Sequence, residues 1–198
     1  MTHPTAARAV FQDVLKGEQR LLIEMEITRD EVFLGQYYAL REKCFRAELG
    51  IPQFDGSEEE RDRSGYVLVA HSDNRCLAGV RISPDLLLPS LAQSLTIDQS
   101  RCCMWERFVV DPSVRKLPLI REFIGSLVQH SRELGYDHAM VLSSLCNARF
   151  YRRCLRSLGV EYAIQRQVPH CADGSFAGLE HYLSVAHLQQ TRPLSLVM

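Results

Sequence analysis

The stretch Met104-Trp105-Glu106-Arg107-Phe108-Val109-Val110-Asp111-Pro112 is close to a continuous apolar run, as a strand covered on both faces must be. Asp111-Pro112 ends it, since proline cannot donate to a ladder. Two charges interrupt the run. Successive side chains of a strand point to opposite faces, so in a regular strand Glu106 and Arg107 meet different faces and cannot simply pair with each other. Burying a charge without a partner is expensive. Two readings follow: one of the charges lines a cleft, with Glu106 as a general base or amine holder, or the strand end reaches solvent.

Downstream, Pro118 opens a helix that runs to Leu134, because proline is favoured in the first turn. Its residues Leu119, Ile120, Phe123, Ile124, Leu127, Val128 and Leu134 recur at helical spacing, and Gly135 caps it. Ala139–Leu142 reads as a buried strand and Asn147–Leu158 as a helix ended by Gly159. Val160–Val168 and Leu179–Ala186 read as two late strands, with Cys171–Phe176 as the turn region between them. Upstream, Leu21–Ile27 reads as a strand. Thr28 with Glu31 stands in capping-box register for a helix to about Leu49, which Gly50 and Pro52 close. Residues 52–64 form a polar, acidic loop. Tyr66–Ala70 and Cys76–Ser83 form a hairpin over Ser72-Asp73-Asn74, and residues 84–99 are irregular with room for one short helix.

The order β-α-β-β-β-α-β-α-β-β predicts one α/β domain: a central mixed sheet with helices on both faces. Residues 1–19 read as an N-terminal arm, loose or helical, and 20–198 as the domain. The chain has 198 residues, 46% hydrophobic and 24% charged, which excludes wholesale disorder. The net charge of -1 gives no overall field for nucleic acid or membrane. No apolar run approaches the length of a membrane span and the first residues lack a signal-peptide pattern, so a cytoplasmic location is expected. The seven cysteines are odd in number and form no C-x-x-C pair, which argues against a disulfide framework. No Cys/His cluster has zinc spacing, so no metal is expected. His170-Cys171 are adjacent, but adjacency does not orient a base toward a thiol.

Other segments could carry chemistry. Asp111–Leu119 leads into a helix N-terminus, where free N–H groups favour an anion; Arg115 and Lys116 there would hold a carrier's phosphate or form an ordinary basic loop. Arg149, Arg152, Arg153 and Arg156 fall at i, i+3, i+4 and i+7, a basic stripe that is either a solvated face or a dock for an acidic partner. Tyr151 is a core residue or a proton donor at the cleft. In the acidic run, Asp55 and Asp62 could hold an ammonium group, although such runs are usually solvated. Tyr37, Tyr38 and Phe45 fit a core face.

Three features together resemble the GCN5-related N-acyltransferase superfamily: Leu40-Arg41-Glu42-x-x-Phe45 before a loop and hairpin; Glu106-Arg107-Phe108-Val109-Val110-Asp111-Pro112-x-x-Arg115 before an amphipathic helix ending Leu134-Gly135-Tyr136; and Asn147-x-x-Phe150-Tyr151 followed by Leu158-Gly159. The resemblance implies that the central strand splays from its neighbour, that its backbone at Phe108, Val109 and Val110 holds a thioester arm, and that the next loop binds pyrophosphate. That loop normally reads Arg/Gln-x-x-Gly-x-Gly/Ala; here Pro118 and Ile120 stand at the small positions, which disfavours tight coenzyme A binding.

Within the superfamily, Leu40-Arg41-x-x-x-Phe45-x-x-x-x-Gly50, Asp62, Gly79-Val80-Arg81 and Trp105-Glu106-Arg107-Phe108 resemble the autoinducer (N-acyl-homoserine lactone) synthases, and about as well the long-chain N-acyl amino acid synthases. Ile51 replaces a family tryptophan, and the family's Trp-Glu-x-x-Arg-Phe is shortened. The resemblance implies acyl transfer from acyl carrier protein or acyl-CoA to a small amine. Arg41, Phe45, Asp62, Arg81 and Arg107 would bind the amine, Glu106 would take its proton, Tyr151 would protonate the leaving thiolate, and the stripe at Arg149, Arg152 and Arg153 would suit an acidic carrier protein. The rival expectations are an acetyl-CoA-dependent acetyltransferase and a non-catalytic acyl-ligand binding module.

Overall fold

A computed structural model describes residues 7–11, 21–84, 95, 97–168, 176 and 178–189. The described residues form an eight-stranded sheet: β1 (Ala7–Phe11), β2 (Leu21–Thr28), β3 (Tyr66–Ser72), β4 (Arg75–Ser83), β5 (Cys102–Val110), β6 (His138–Ser143), β7 (Glu161–Val168) and β8 (His181–His187). The spatial order is β1-β2-β3-β4-β5-β6-β8-β7. Every neighbouring pair is antiparallel except β5 with β6. The helices are α1 (Glu31–Glu48), α2 (Glu60–Ser64), α3 (Leu117–Glu133) and α4 (Leu145–Ser157). The α/β class and mixed sheet match expectation. Residues 7–11, expected in a loose or helical arm, instead pair with β2 as the edge strand.

Strand alternation sorts the core. Val67, Val69 and Val109 pack with Tyr37, Leu40 and Cys44 of α1. The alternate residues Leu68, Val80, Ile82 and Trp105 pack with Phe123, Leu127, Tyr151 and Leu155 of α3 and α4. Helices therefore cover both faces. Asp30, not Thr28, caps α1: its carboxylate accepts from the Val32 N–H at 2.7 Å, two residues later than the capping box suggested. The hairpin turn between β3 and β4 places Asp73 and Asn74 at φ 48° and 61°, the two left-handed positions that a tight two-residue turn demands. Pro118 sits in the first turn of α3 as expected. Residues 85–94 and the His170-Cys171 pair lie outside the described residues.

Two irregularities in β5 prepare the site. First, β5 pairs with β6 only across Cys102–Met104 and His138–Met140. Beyond Met104 the ladder stops, while β6 continues on β8 through Ser143, so the sheet opens into a V along Trp105–Val110. Second, Glu106 faces Arg81 and Val109 faces Gly79, so two residues of β5 oppose Val80 alone. This is a β-bulge, and its first residue, Arg107, adopts φ 56°, a conformation that costs a non-glycine residue about a kcal/mol or more.

Candidate functional site

The bulge decides what the two charges of β5 do. The expectation that Glu106 and Arg107 meet opposite faces assumed a regular strand; the inserted residue breaks the alternation, and both side chains turn toward α2. Arg81 Nε donates to Glu106 Oε2 at 3.1 Å, and Arg107 Nε donates to Glu59 Oε1 at 3.0 Å. Arg81 Nη1 donates to Glu59 Oε2 at 2.8 Å and to Asp62 Oδ1 at 3.1 Å. Glu106 and Arg107 are thus joined through Arg81 and Glu59. Arg41 completes the inner end with bonds from Nη1 to both Asp62 oxygens, at 3.2 and 3.0 Å.

Arg41, Asp62, Arg81 and Glu106 are buried. Charges so placed are tolerable only if each is paired and its remaining hydrogen bonds are met. Arg41 meets that condition with the carbonyls of Gly56 at 2.9 Å and of Ser57, and its guanidinium lies 4.9 Å from the Tyr38 ring centre. The chain at Gly56 passes α1 so closely that an added Cβ would stand 2.4 Å from the Glu42 Cβ.

The acidic segment 52–64 is not a solvated loop throughout. Its end is the short helix α2, tied down by Arg29, which donates to the carbonyls of Asp62 at 3.2 Å and Gly65 at 2.6 Å. Asp62 Oδ2 also accepts from the Glu59 N–H at 2.8 Å, closing the helix start from its third residue. Asp55, the other candidate ammonium holder, is exposed and accepts from the Ser57 N–H instead. Sequence reasoning missed Glu59. The signal was present in Glu59-x-x-Asp62, three apart ahead of a strand, but the surrounding run Glu58-Glu59-Glu60 hid it.

The electrostatics follow from the pairing. Burial would raise the Glu59 carboxyl, but Arg107 and Arg81 outweigh it and lower its pKa to about 2. Arg81 loses solvation by burial, yet Glu106, Glu59 and Asp62 hold it firmly protonated. Among the described residues, four arginines (41, 61, 81 and 107) meet three carboxylates (59, 62 and 106). Glu106 Oε2 accepts from both Arg81 and Arg61; neither bond uses Oε1.

Tyr37 links α1 to the bulge. Its buried hydroxyl donates to the Arg107 carbonyl at 3.1 Å, and its ring lies over Gly79, where a Cβ would meet Tyr37 Cδ2 at 2.2 Å. Phe45 belongs to an aromatic group: its ring centre is 4.8 Å from Phe54 and 5.9 Å from Phe176, and the Arg107 guanidinium stands 4.5 Å from the Phe176 ring. Phe176 comes from the β7–β8 connection, far away in sequence, and no spacing signal could have joined it to Phe45.

The remaining candidates lie elsewhere. Phe108 points to the other face and packs against Phe123 and Tyr151, each with ring centres 5.6 Å away. Tyr151 is buried there, outside the charge cluster, and burial drives its hydroxyl pKa well above 10, so it stays protonated. Val109 and Val110 are buried at the end of β5. Arg115 is engaged by Glu48, at 2.7 and 2.9 Å, and by the Val110 carbonyl at 2.8 Å. Lys116 precedes the first turn of α3. Arg149, Arg152, Arg153 and Arg156 are all exposed on α4. None of them forms an ion pair or donates a side-chain hydrogen bond among the described residues. Cys44, Cys76, Cys102, Cys103, Cys146 and Cys154 are free thiols, and burial pushes Cys76 and Cys102 up to about 12. Among the described residues no group of three His, Cys, Asp or Glu side chains could hold a metal. No described helix is long and apolar enough to cross a membrane.

The fold recurs in solved structures. The acyl-homoserine lactone synthase LasI superposes with a TM-score of 0.63 at 15% identity, over 85% of this chain and 91% of that one. The two chains share a fold. A CoA-dependent acyl-homoserine lactone synthase, BjaI, whose structure holds SAM and isopentyl-CoA, gives a TM-score of 0.61 at 16% identity over 81% of this chain and 78% of that one. The ribosomal-protein-alanine N-acetyltransferase of Brucella melitensis gives 0.61 at 16% identity over 83% of this chain and 99% of that one. No family model matches the sequence, and no curated protein matches it either.

Proposed function

We propose that this protein is an N-acyltransferase that moves an acyl group from a thioester, on acyl carrier protein or coenzyme A, to a small amine, in the manner of the autoinducer and N-acyl amino acid synthases. The observation that carries the reading is the buried cluster Arg41–Asp62–Arg81–Glu106, with Glu59 and Arg107, set on the strand that parts from β6. A simple structural core has no use for six charges gathered beside one strand.

The thioester arm lies along the free edge of Trp105–Val110, where backbone groups without a β6 partner can hold it. Glu106 Oε1 takes a proton from the amine as nitrogen bonds to the thioester carbonyl. Backbone N–H groups near Phe108–Val110 steady the oxyanion. The C–S bond then breaks, and Tyr151 gives its proton to the departing thiolate, which requires the aromatic packing around it to admit the sulfur. The phosphate loop favours a carrier protein over free coenzyme A: Pro118 offers no N–H, and Arg115 is held by Glu48. The stripe Arg149, Arg152 and Arg153 then receives the carrier's acidic surface.

The test is release of free thiol from acyl carrier proteins and acyl-CoAs of several chain lengths, with amino acids and homoserine-lactone precursors as acceptors. The expected result is turnover with medium or long acyl groups, abolished by Glu106→Gln in a protein whose thermal melt shows that it still folds. Turnover with acetyl-CoA alone would make this a plain acetyltransferase. Thioester binding with no turnover on any amine would leave a binding module.

A further inference from the structure

We infer that Arg61 is a positioning residue for the acyl transfer, a clamp that fixes Glu106 so that its second oxygen faces the amine. This rests on the proposed acyltransferase reading. Glu106 Oε2 receives two guanidinium bonds of equal length, from Arg81 Nε at 3.1 Å and from Arg61 Nε at 3.1 Å. The two donors come from different places. Arg81 lies on β4 with its side chain 1% exposed, held on its other side by Glu59 and Asp62. Arg61 lies on α2 and is 22% exposed, so it closes on Glu106 from the solvent side.

One oxygen held from two directions removes the rotation that a carboxylate on a flexible stem would otherwise keep. Oε1 is then the oxygen left to meet the acceptor, and preorganised geometry of this kind is worth a large share of a proton-transfer rate. The backbone supports the clamp. Asp62, the next residue, is turned inward to Arg41 and Arg81, and Arg29 holds the carbonyls of Asp62 and Gly65. The same five-residue helix therefore places Asp62 in the buried cluster and Arg61 over Glu106. Arg61 needs no contact with either substrate to act. It works through Glu106, and its loss should slow the proton step without weakening the grip on the thioester.

The experiment compares the full-length parent with Arg61→Ala, Arg61→Lys and Glu106→Gln, and adds Arg61→Ala in the Glu106→Gln background. Steady-state thiol release gives kcat and KM for the acyl donor, and thermal melts report the fold. The expected result is a kcat loss of about tenfold or more for Arg61→Ala, a donor KM within about twofold, and a melting temperature within about 2 °C, because Glu106 keeps Arg81 as its buried partner. Arg61→Lys should recover part of the lost kcat. In the Glu106→Gln background, where turnover is already abolished, the melt is the readout, and adding Arg61→Ala should leave the melting temperature within about 2 °C. Arg61→Ala with the parent's kcat would overturn the inference and leave the acyltransferase reading intact. A kcat loss that tracks a fall in melting temperature, with the same fall when Arg61→Ala is added to Glu106→Gln, would also overturn it, by making Arg61 structural. A parent that transfers acyl groups to no amine would bring down both readings together.

Discussion

The contact between Gly79 and Tyr37 makes a stability prediction that also tests how the site is built. An alanine at 79 would place its Cβ 2.2 Å from Tyr37 Cδ2 and 2.6 Å from Cε2, far inside contact distance. The obstacle is a fully buried ring, not the loose end of a side chain, so the ring must move or the sheet must bend. Overpacking of this kind costs about 1–3 kcal/mol. Moving the ring also pulls its hydroxyl from the Arg107 carbonyl, now at 3.1 Å, which adds about 1 kcal/mol. Gly79→Ala should therefore destabilise by roughly 2–4 kcal/mol, a fall in Tm of about 5–15 °C for a chain of this size. Gly35 supplies the control. It lies exposed in α1 with nothing within 4 Å of the Cβ site, so Gly35→Ala should stabilise by about 0.5–1 kcal/mol. Urea and thermal melts of the two variants beside the parent decide the matter. If Gly79→Ala melts within about 1 °C of the parent, Tyr37 does not brace the bulge, and the account of how Arg107 is held fails.

Acid should unfold the protein partly through Glu59. Its pKa lies near 2 in the fold against an ordinary 4.5, so its stabilising contribution, about 3 kcal/mol, is complete above pH 4.5 and is lost as the pH falls toward 2. The measurement is the slope of stability between pH 5 and 3, which should be shallower in Glu59→Gln; identical slopes would remove Glu59 from the linkage. Reversing the stripe with Arg149→Glu, Arg152→Glu and Arg153→Glu should raise KM for an acyl carrier protein donor about tenfold or more while leaving KM for an acyl-CoA unchanged. Equal effects on both donors would show that the stripe is only a solvated face.

Periodicity carried most of the fold. The apolar run 102–110, the helical spacing of 119–134 and the hairpin around Asp73-Asn74 are local patterns with one physical solution each. What stayed hidden depends on chain segments meeting in three dimensions. The edge strand Ala7–Phe11 exists because β2 offers it a partner. Phe176 reaches Phe45 across more than a hundred residues. Glu59 sat inside an acidic run that looks solvated until Arg81 and Arg107 are placed opposite it. Arg41, Asp62, Arg81, Glu106 and Arg107 were legible as candidates, but their convergence was not: it depends on the bulge, and a bulge leaves no mark in composition.

The bulge also bears on the shortened motif. In the resembled synthases Glu and Arg stand three apart, in Trp-Glu-x-x-Arg-Phe; here Glu106 and Arg107 are adjacent. Deleting two residues from a strand preserves the alternation of faces, so a regular strand cannot by itself bring an adjacent Glu and Arg to one side. The inserted residue at Arg107 does so. Its φ of 56° is the conformational cost, and three contacts oppose it: the Tyr37 hydroxyl on its carbonyl, the Glu59 carboxylate on its guanidinium, and the Phe176 ring beneath. Strain at a non-glycine residue persists only where its surroundings over-determine it. The surroundings here are the very groups that form the candidate site, so the departure from the motif and the strained backbone have one explanation: the strand is bent to deliver both charges to one cluster.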